Sequence, residues 1–146
     1  MGIRLIADSC CDTGPQTDER LRDLSKAPLQ VLVEEQAFVD DGTSHPEELI
    51  AAMKASRQAA RSACPGPEDF ACRIRGADDC LVITLSSKLS GSYNAARNAR
   101  DLVLEDEPGK RIHILDSASA SAGETRLALF AQACLDAGND FDTAVR

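Results

Sequence analysis

Short apolar runs that end at an acid or a hydroxyl recur along this chain and alternate with stretches of helical spacing. Ile3 to Ala7 is the first run, a buried strand whose C-terminal end opens at Asp8 into a polar loop. Cys80 to Leu85 is a second, and Arg111 to Leu115 a third that ends at Asp116-Ser117. After the second run, Ala95, Ala96, Ala99, Leu102 and Val103 fall at helical spacing, and their small size suits a helix packed closely on a sheet. Leu127, Phe130, Ala131, Cys134 and Leu135 give another amphipathic helix, closed by Gly138. Strands alternating with helices predict an α/β fold, a three-layer, mostly parallel sheet with helices on both faces and right-handed crossovers. In such sheets ligands bind at loops beyond the strand C-termini.

The intervening segments are less regular. Residues 16 to 25 have a weak helical pattern with Leu21 and Leu24 inward, and Pro28 blocks its continuation. Leu29 to Val33 and Gln36 to Val39 read as two short strands before an Asp40-Asp41-Gly42 turn. Ser44 or His45 precedes Pro46, Glu47 and Glu48, a helix start with acids at the positive end of its dipole, and Leu49, Ile50 and Met53 make one apolar face. From Ser56 to Cys64 there is no clear period. Pro65-Gly66-Pro67 then forces an extended turn before a short helix bearing Phe70 and Ile74, which leaves Ser62 on the preceding loop. Asp140 can cap a last helix containing Phe141, Ala144 and Val145. With barely two turns before Arg146, that pattern reads as a cut inside an element.

Composition narrows the function. The 146 residues fit a single domain that needs no disulfide staples. A net charge of −8 and 3% aromatic residues argue against a nucleic-acid partner, which needs a basic surface and stacking platforms. An anionic ligand is therefore expected to be captured by local dipoles. There is no apolar run long enough for a membrane span and no signal-peptide pattern, so a cytoplasmic protein with reduced cysteines is expected. No C-x-x-C pair occurs among Cys10, Cys11, Cys64, Cys72, Cys80 and Cys134, and His45 and His113 stand in no ligand spacing, so neither metal nor cofactor is expected.

The chemistry concentrates in Thr84 to Ala96, where a strand runs through Ser86, Ser87, Ser90, Gly91 and Ser92 into an Ala-rich helix. Free N–H groups at a helix start, flanked by hydroxyls, suit a carboxylate or phosphate, although Ser90 also has the composition of a simple cap. Phosphate loops of the G-x-G-x-x-G or G-x-x-x-x-G-K-[ST] type and a G-x-S-x-G nucleophile elbow are missing. Asp8, Asp12 and Asp116 at strand ends remain open either to acid–base or metal chemistry or to fixing loops by accepting backbone hydrogen bonds.

Four ordered stretches resemble the DegV family of bacterial fatty-acid-binding proteins. Leu85-Ser86-Ser87-Lys88-Leu89-Ser90-Gly91-Ser92-Tyr93 is similar to its L-S-S-x-L-S-G-T-Y signature. Ile6-Ala7-Asp8-Ser9-Cys10-Cys11-Asp12 resembles its opening D-S-T-S-D, Ser62 to Phe70 its T-S-Q-P-S-P-x-x-F, and Ile114 to Ser119 its I-D-S-K-S. The resemblance implies a protein that binds a long-chain fatty acid by its carboxylate and presents it to a fatty acid kinase. It implies carboxylate contacts from Ser90 and Ser62, with Gly91 allowing close backbone approach. Asp8, Ser9, Ser87, Asn94 and Ser117 complete the expected lining. Ala63-Cys64 and Cys10-Cys11 depart from the family's Ser-Gln and Thr-Ser, exchanging hydroxyl and amide donors for weak thiols. Such proteins have about twice this length, with a second α/β domain that completes the ligand tunnel and adds a histidine-containing motif. The expectation is an N-terminal domain whose uncovered apolar surface favours self-association. Competing readings are a small α/β enzyme or phosphoryl-ligand-binding protein using the Ser90-Gly91 helix start and the strand-end aspartates, and an acidic protein-interaction domain.

Overall fold

The structure, a computed structural model, describes residues 2–43 and 45–146. Strands β1 (Ile3–Asp8), β2 (Ser25–Ala27), β6 (Asp79–Thr84) and β7 (Arg111–Asp116) form a parallel sheet in the order β2-β1-β6-β7. Its alternation explains the layering, since successive side chains of a strand point to opposite faces. Ile6 on β1 and Cys80 and Val82 on β6 pack against α3 (Pro67–Arg75) and α4 (Ser92–Asp106), in a core with Phe70, Ile74, Ala96, Ala99 and Val103. Leu5, Ala7, Leu81 and Ile83 face the other way, onto Ala128 and Ala131 of α5 (Ala122–Asp136) and onto Leu21. Both faces of β1 and β6 are covered, which is why these strands read as continuous apolar runs.

A second sheet was not foreseen as a unit. β3 (Gln30–Val33) pairs antiparallel with β4 (Gln36–Val39) on one side and with β5 (Arg61–Ala63) on the other. The structure thereby corrects the aperiodic reading of residues 56 to 64. Ser62 lies on β5 opposite Val31, fixed by backbone pairing, and not on a loop. In residues 16–25, helix α1 (Pro15–Asp18) is a single turn and the chain then extends into β2, although Leu21 is buried as expected. The Ser44 alternative for the next helix start lies outside the described residues; His45 occupies the N-cap position of α2 (Pro46–Ala55).

Helical spacing misjudged how far each helix is covered. No residue of α2 is buried, and Ile50 and Met53 stand half exposed. Leu102 of α4 and Phe130 of α5 also face outward, Phe130 at 70% exposure, because the apolar arc of each helix is wider than the sheet beneath it. The ends follow local rules. Asp69 accepts the Gly66 N–H at 2.8 Å before α3, and the Lys110 ammonium donates to the Ile74, Arg75 and Ala77 carbonyls at its far end. Gly138 takes a left-handed φ of 79° after α5, and Asp140 caps α6 (Phe141–Ala144) by accepting the Thr143 N–H. Among the described residues no helix is long and apolar enough to cross a membrane.

One contact fixes the loop between β7 and α5. A Cβ at Gly123 would fall 1.8 Å from the Ser119 hydroxyl oxygen. Ser119 in turn belongs to a turn with left-handed Ala118 and Ser121, at φ 48° and 53°. Gly123→Ala is therefore expected to cost about 1–3 kcal/mol through overpacking, read by urea denaturation. A neutral result would mean that Ser119 simply rotates away.

Candidate functional site

Because the sheet is parallel, Asp8, Thr84 and Asp116 end their strands at one edge, and the loops that follow meet there. Ser86 donates its N–H to the Ser119 carbonyl at 2.8 Å, joining the loop after β6 to the loop after β7. Within the first loop, the Leu89 and Ser90 amides both donate to the Ser86 carbonyl, closing a tight turn. Ser90 Oγ accepts the Ser92 N–H at 3.2 Å, so it binds a backbone group at the start of α4, but the N-cap position itself belongs to Gly91. The Gly91, Tyr93 and Asn94 N–H groups take no protein acceptor among the described residues. They are the unsatisfied donors of a helix start, where the dipole also favours an anion.

Cys64 brings the β5 segment to this turn. A Cβ at Gly91 would lie 3.1 Å from Cys64 Sγ, so the glycine backbone and the thiol are in close contact. Ser62, two residues earlier and exposed, has the spacing at which an extended chain repeats a face. The Ser62 to Phe70 and Leu85 to Tyr93 stretches, separated by the rest of α3 and by β6, thus meet at Gly91. Ser87 and Asn94 are exposed on the same turn and helix start.

The other expected lining residues stand behind the turn. Asp8 is fully buried. Its Oδ2 accepts the Leu85 N–H at 2.9 Å and the Ser92 hydroxyl at 2.6 Å, and its Oδ1 accepts the Cys10 N–H at 3.1 Å. Ser9 is also buried, and its hydroxyl accepts the Leu29 N–H. Ser117 exchanges hydrogen bonds with Ser119 inside its own loop. Asp12 accepts the Ser121 hydroxyl, and Asp116 accepts the Ser87 and Ala118 N–H groups; the Ser87 side chain first, then these amides, hold its carboxyl below the usual range. The strand-end aspartates therefore fix loops, and of the three only Asp8 belongs to a close cluster.

That cluster was missed from sequence. Asp8, Cys10 and Glu124 place one ligand-type atom each within 4.8 Å of one another. Glu124 is fully buried at the start of α5, and neither of its oxygens takes a protein donor. Burial, then the Asp8 charge and a hydrogen bond shared with it, push the Glu124 carboxyl up to about 9. Burial also raises Asp8, opposed by its hydrogen bonds from Ser92 and Leu85. Three donors already engage the Asp8 oxygens, and burial raises the Cys10 thiol as well, so with no cation present the pair is suited to share a proton. All six cysteines are free. Burial pushes Cys11 and Cys80 up to about 11, which makes them inert, whereas Cys64 and Cys72 are exposed.

Comparison with known proteins identifies the family and the fold. A family model described as that of an uncharacterised protein of the DegV family matches residues 2–146. The chain belongs to the DegV family. A DegV domain-containing protein of Streptococcus pneumoniae is 34% identical over 146 residues, which cover 99% of this chain and 52% of the relative. A DegV family protein of Ruminococcus gnavus, solved with vaccenic acid, superposes with a TM-score of 0.90 at 35% identity, covering 98% of this chain and 51% of that one. The Streptococcus pneumoniae Fatty Acid Kinase (Fak) B3 protein, loaded with linoleic acid, superposes at 0.89 with 33% identity, covering 99% and 52%. This DegV chain spans about half the length of the curated relatives it matches.

Glu124 gives the stability a definite pH dependence. An unfolded glutamate releases its proton near its ordinary value of 4.5, whereas the folded one holds it to about 9. The stabilisation is complete below the lower value and is lost as pH rises toward the upper one, with a slope of at most about 1.4 kcal/mol per pH unit for one proton. Denaturation midpoints measured from pH 5 to 9 should fall, and Glu124→Gln should flatten the profile. Parallel profiles for the two proteins would show that Glu124 is ionised in the native state.

Proposed function

We propose that this chain forms the carboxylate-binding part of a long-chain fatty-acid-binding protein that presents the acid to a fatty acid kinase. The observation that supports this most directly is the juncture at Gly91. Free amides of α4, the Ser90 hydroxyl, and the Ser62 to Cys64 segment adjoin one exposed turn. These are neutral donors, suited to a carboxylate on a protein whose overall charge is −8 and repels anions. The bound vaccenic and linoleic acids of the two solved relatives, one of them a fatty acid kinase B protein, support the same ligand class and partner.

A binding role also fits what is spent on structure. Asp8, Asp12 and Asp116 accept internal donors, and the Cys10 thiol beside Asp8 and Glu124 is raised by burial and so is a weak nucleophile, which gives an enzyme on this scaffold less support. Exposed Leu89, Ile50, Met53 and Phe130 supply apolar surface for an acyl tail, further chain or a second copy of the domain.

Ser90→Ala and Ser62→Ala are each expected to weaken palmitate binding by about 1.5–3 kcal/mol without unfolding the protein, because each removes a hydrogen bond to a charged group. Ser90 should have the larger effect, since its hydroxyl also holds the Ser92 amide. Calorimetric titration measures both. Unchanged affinity in both variants would reduce the turn to a helix cap. Acyl phosphate formation by a fatty acid kinase, dependent on added protein, tests the presentation step.

A further inference from the structure

Two buried carboxyl groups meet directly behind the turn. Asp8 closes β1, Glu124 opens α5, and their oxygens lie within 4.8 Å of each other and of Cys10 Sγ. Asp8 already accepts from Leu85, Ser92 and Cys10, whereas neither Glu124 oxygen receives a donor. Two acceptors cannot satisfy each other without a hydrogen, so the arrangement is sound only if one of the pair is an acid. Leu85 and Ser92 bracket the turn that ends in Ser90-Gly91, and Asp8 Oδ2 is the atom that holds both.

We propose that Glu124 is a positioning residue for the carboxylate-binding turn: it donates a proton-bearing oxygen to Asp8 and thereby keeps Asp8 aimed at Leu85 and Ser92. The charged and titratable groups that act on Glu124 are Asp8 of β1, Cys10, Cys11 and Asp12 of the loop after it, and Lys26 of β2. Only Lys26 favours ionisation, and its ammonium donates to Thr13 at 2.9 Å. Burial and Asp8 dominate, and the acid form persists to about pH 9. Above that, two adjacent anions repel, Asp8 shifts, and the Leu85 to Ser92 turn loses its anchor.

The part of this inference that concerns ligand affinity rests on the proposed fatty-acid role, and the test separates the two. Carbon-detected NMR of the Leu85, Ser90 and Ser92 carbonyls from pH 6 to 10.5 reads the turn with no ligand present. The native protein should show a common transition near pH 9, and Glu124→Gln, which keeps a donor toward Asp8 but cannot ionise, should show none. Palmitate affinity should fall about tenfold across the same interval in the native protein and stay level in Glu124→Gln, as loss of one anchored hydrogen bond implies. Silent carbonyls in the native protein, or the same transition in both proteins, overturn the inference. A carbonyl transition confined to the native protein with unchanged palmitate affinity upholds Glu124 as the residue that positions the turn and overturns the turn's part in ligand affinity. If Glu124→Gln does not fold, Asp8→Asn serves as the second variant, since a neutral neighbour should move the transition well below pH 9. An absence of palmitate binding at every pH would count against the proposed function, while the carbonyl titration still decides whether Glu124 positions the turn.

Discussion

Everything at the ligand edge depends on one buried carboxylate. Asp8 accepts from residues 77 and 84 positions away in sequence, and so joins the end of β1 to both ends of the β6–α4 turn. A carboxylate removed from water is costly unless its oxygens are fully hydrogen-bonded, and three donors offset part of that cost here. The return is geometric. Leu85 and Ser92 are held by a single oxygen, so the six intervening residues form a closed turn with Ser90 and Gly91 at its tip. Glu124 then meets Asp8 from the α5 side, which ties the third layer of the fold to the same atom pair.

In the proposed reading, the site built on this anchor would hold an anion chiefly through neutral donors. Sixteen basic residues are outnumbered by twenty-four acids, and the amides and hydroxyls that face solvent at the turn stand beside the exposed Lys88 and Leu89. Their contribution is limited to about 1.5–3 kcal/mol for each bond to a charged group. A sixteen-carbon tail, at about 0.8 kcal/mol per buried methylene, supplies on the order of 10 kcal/mol. Affinity for a fatty acid would thus reside in tail burial and head-group orientation in the turn. Neutral donors of modest strength also suit a ligand whose carboxyl group must remain available to a second protein.

How much of this was legible in the sequence follows from where each residue finds its partners. β1, β6 and β7 and the helices α4 and α5 were readable because their apolar positions repeat at the period of their own element. β2 and β5 were not, being three residues long and defined by pairing with β1 and β3. Ser62, a candidate from its sequence, was placed on the wrong element for that reason. Glu124 gave no signal at all, since an acid in the first turn of a helix is ordinary on dipole grounds. Only the packing of α5 over the end of β1 distinguishes a buried acid from a solvated one. Phe130 and Leu102 failed in the opposite sense: spacing identifies an apolar arc, but the width of the covering layer decides how much of it is buried.

The thiols show how the site tolerates departures from its family's pattern. Cys64 stands where an amide side chain is usual, and its sulfur occupies the space beside Gly91 that any larger residue at 91 would need. A thiol donates weakly, so this exchange keeps the packing of the turn against β5 while giving up a strong donor beside the head group. Cys10 and Cys11 make the analogous exchange on the inner side, and there the loss is covered: Cys10 contributes its backbone N–H to Asp8, and Cys11 packs against Thr125 on the α5 side. The inner substitutions leave the Asp8 anchor intact, whereas the outer one lies at the exposed turn. If that turn binds a carboxylate as proposed, its orientation would depend more heavily on Ser62, Ser90 and the free amides of α4 than it would with an amide side chain at position 64.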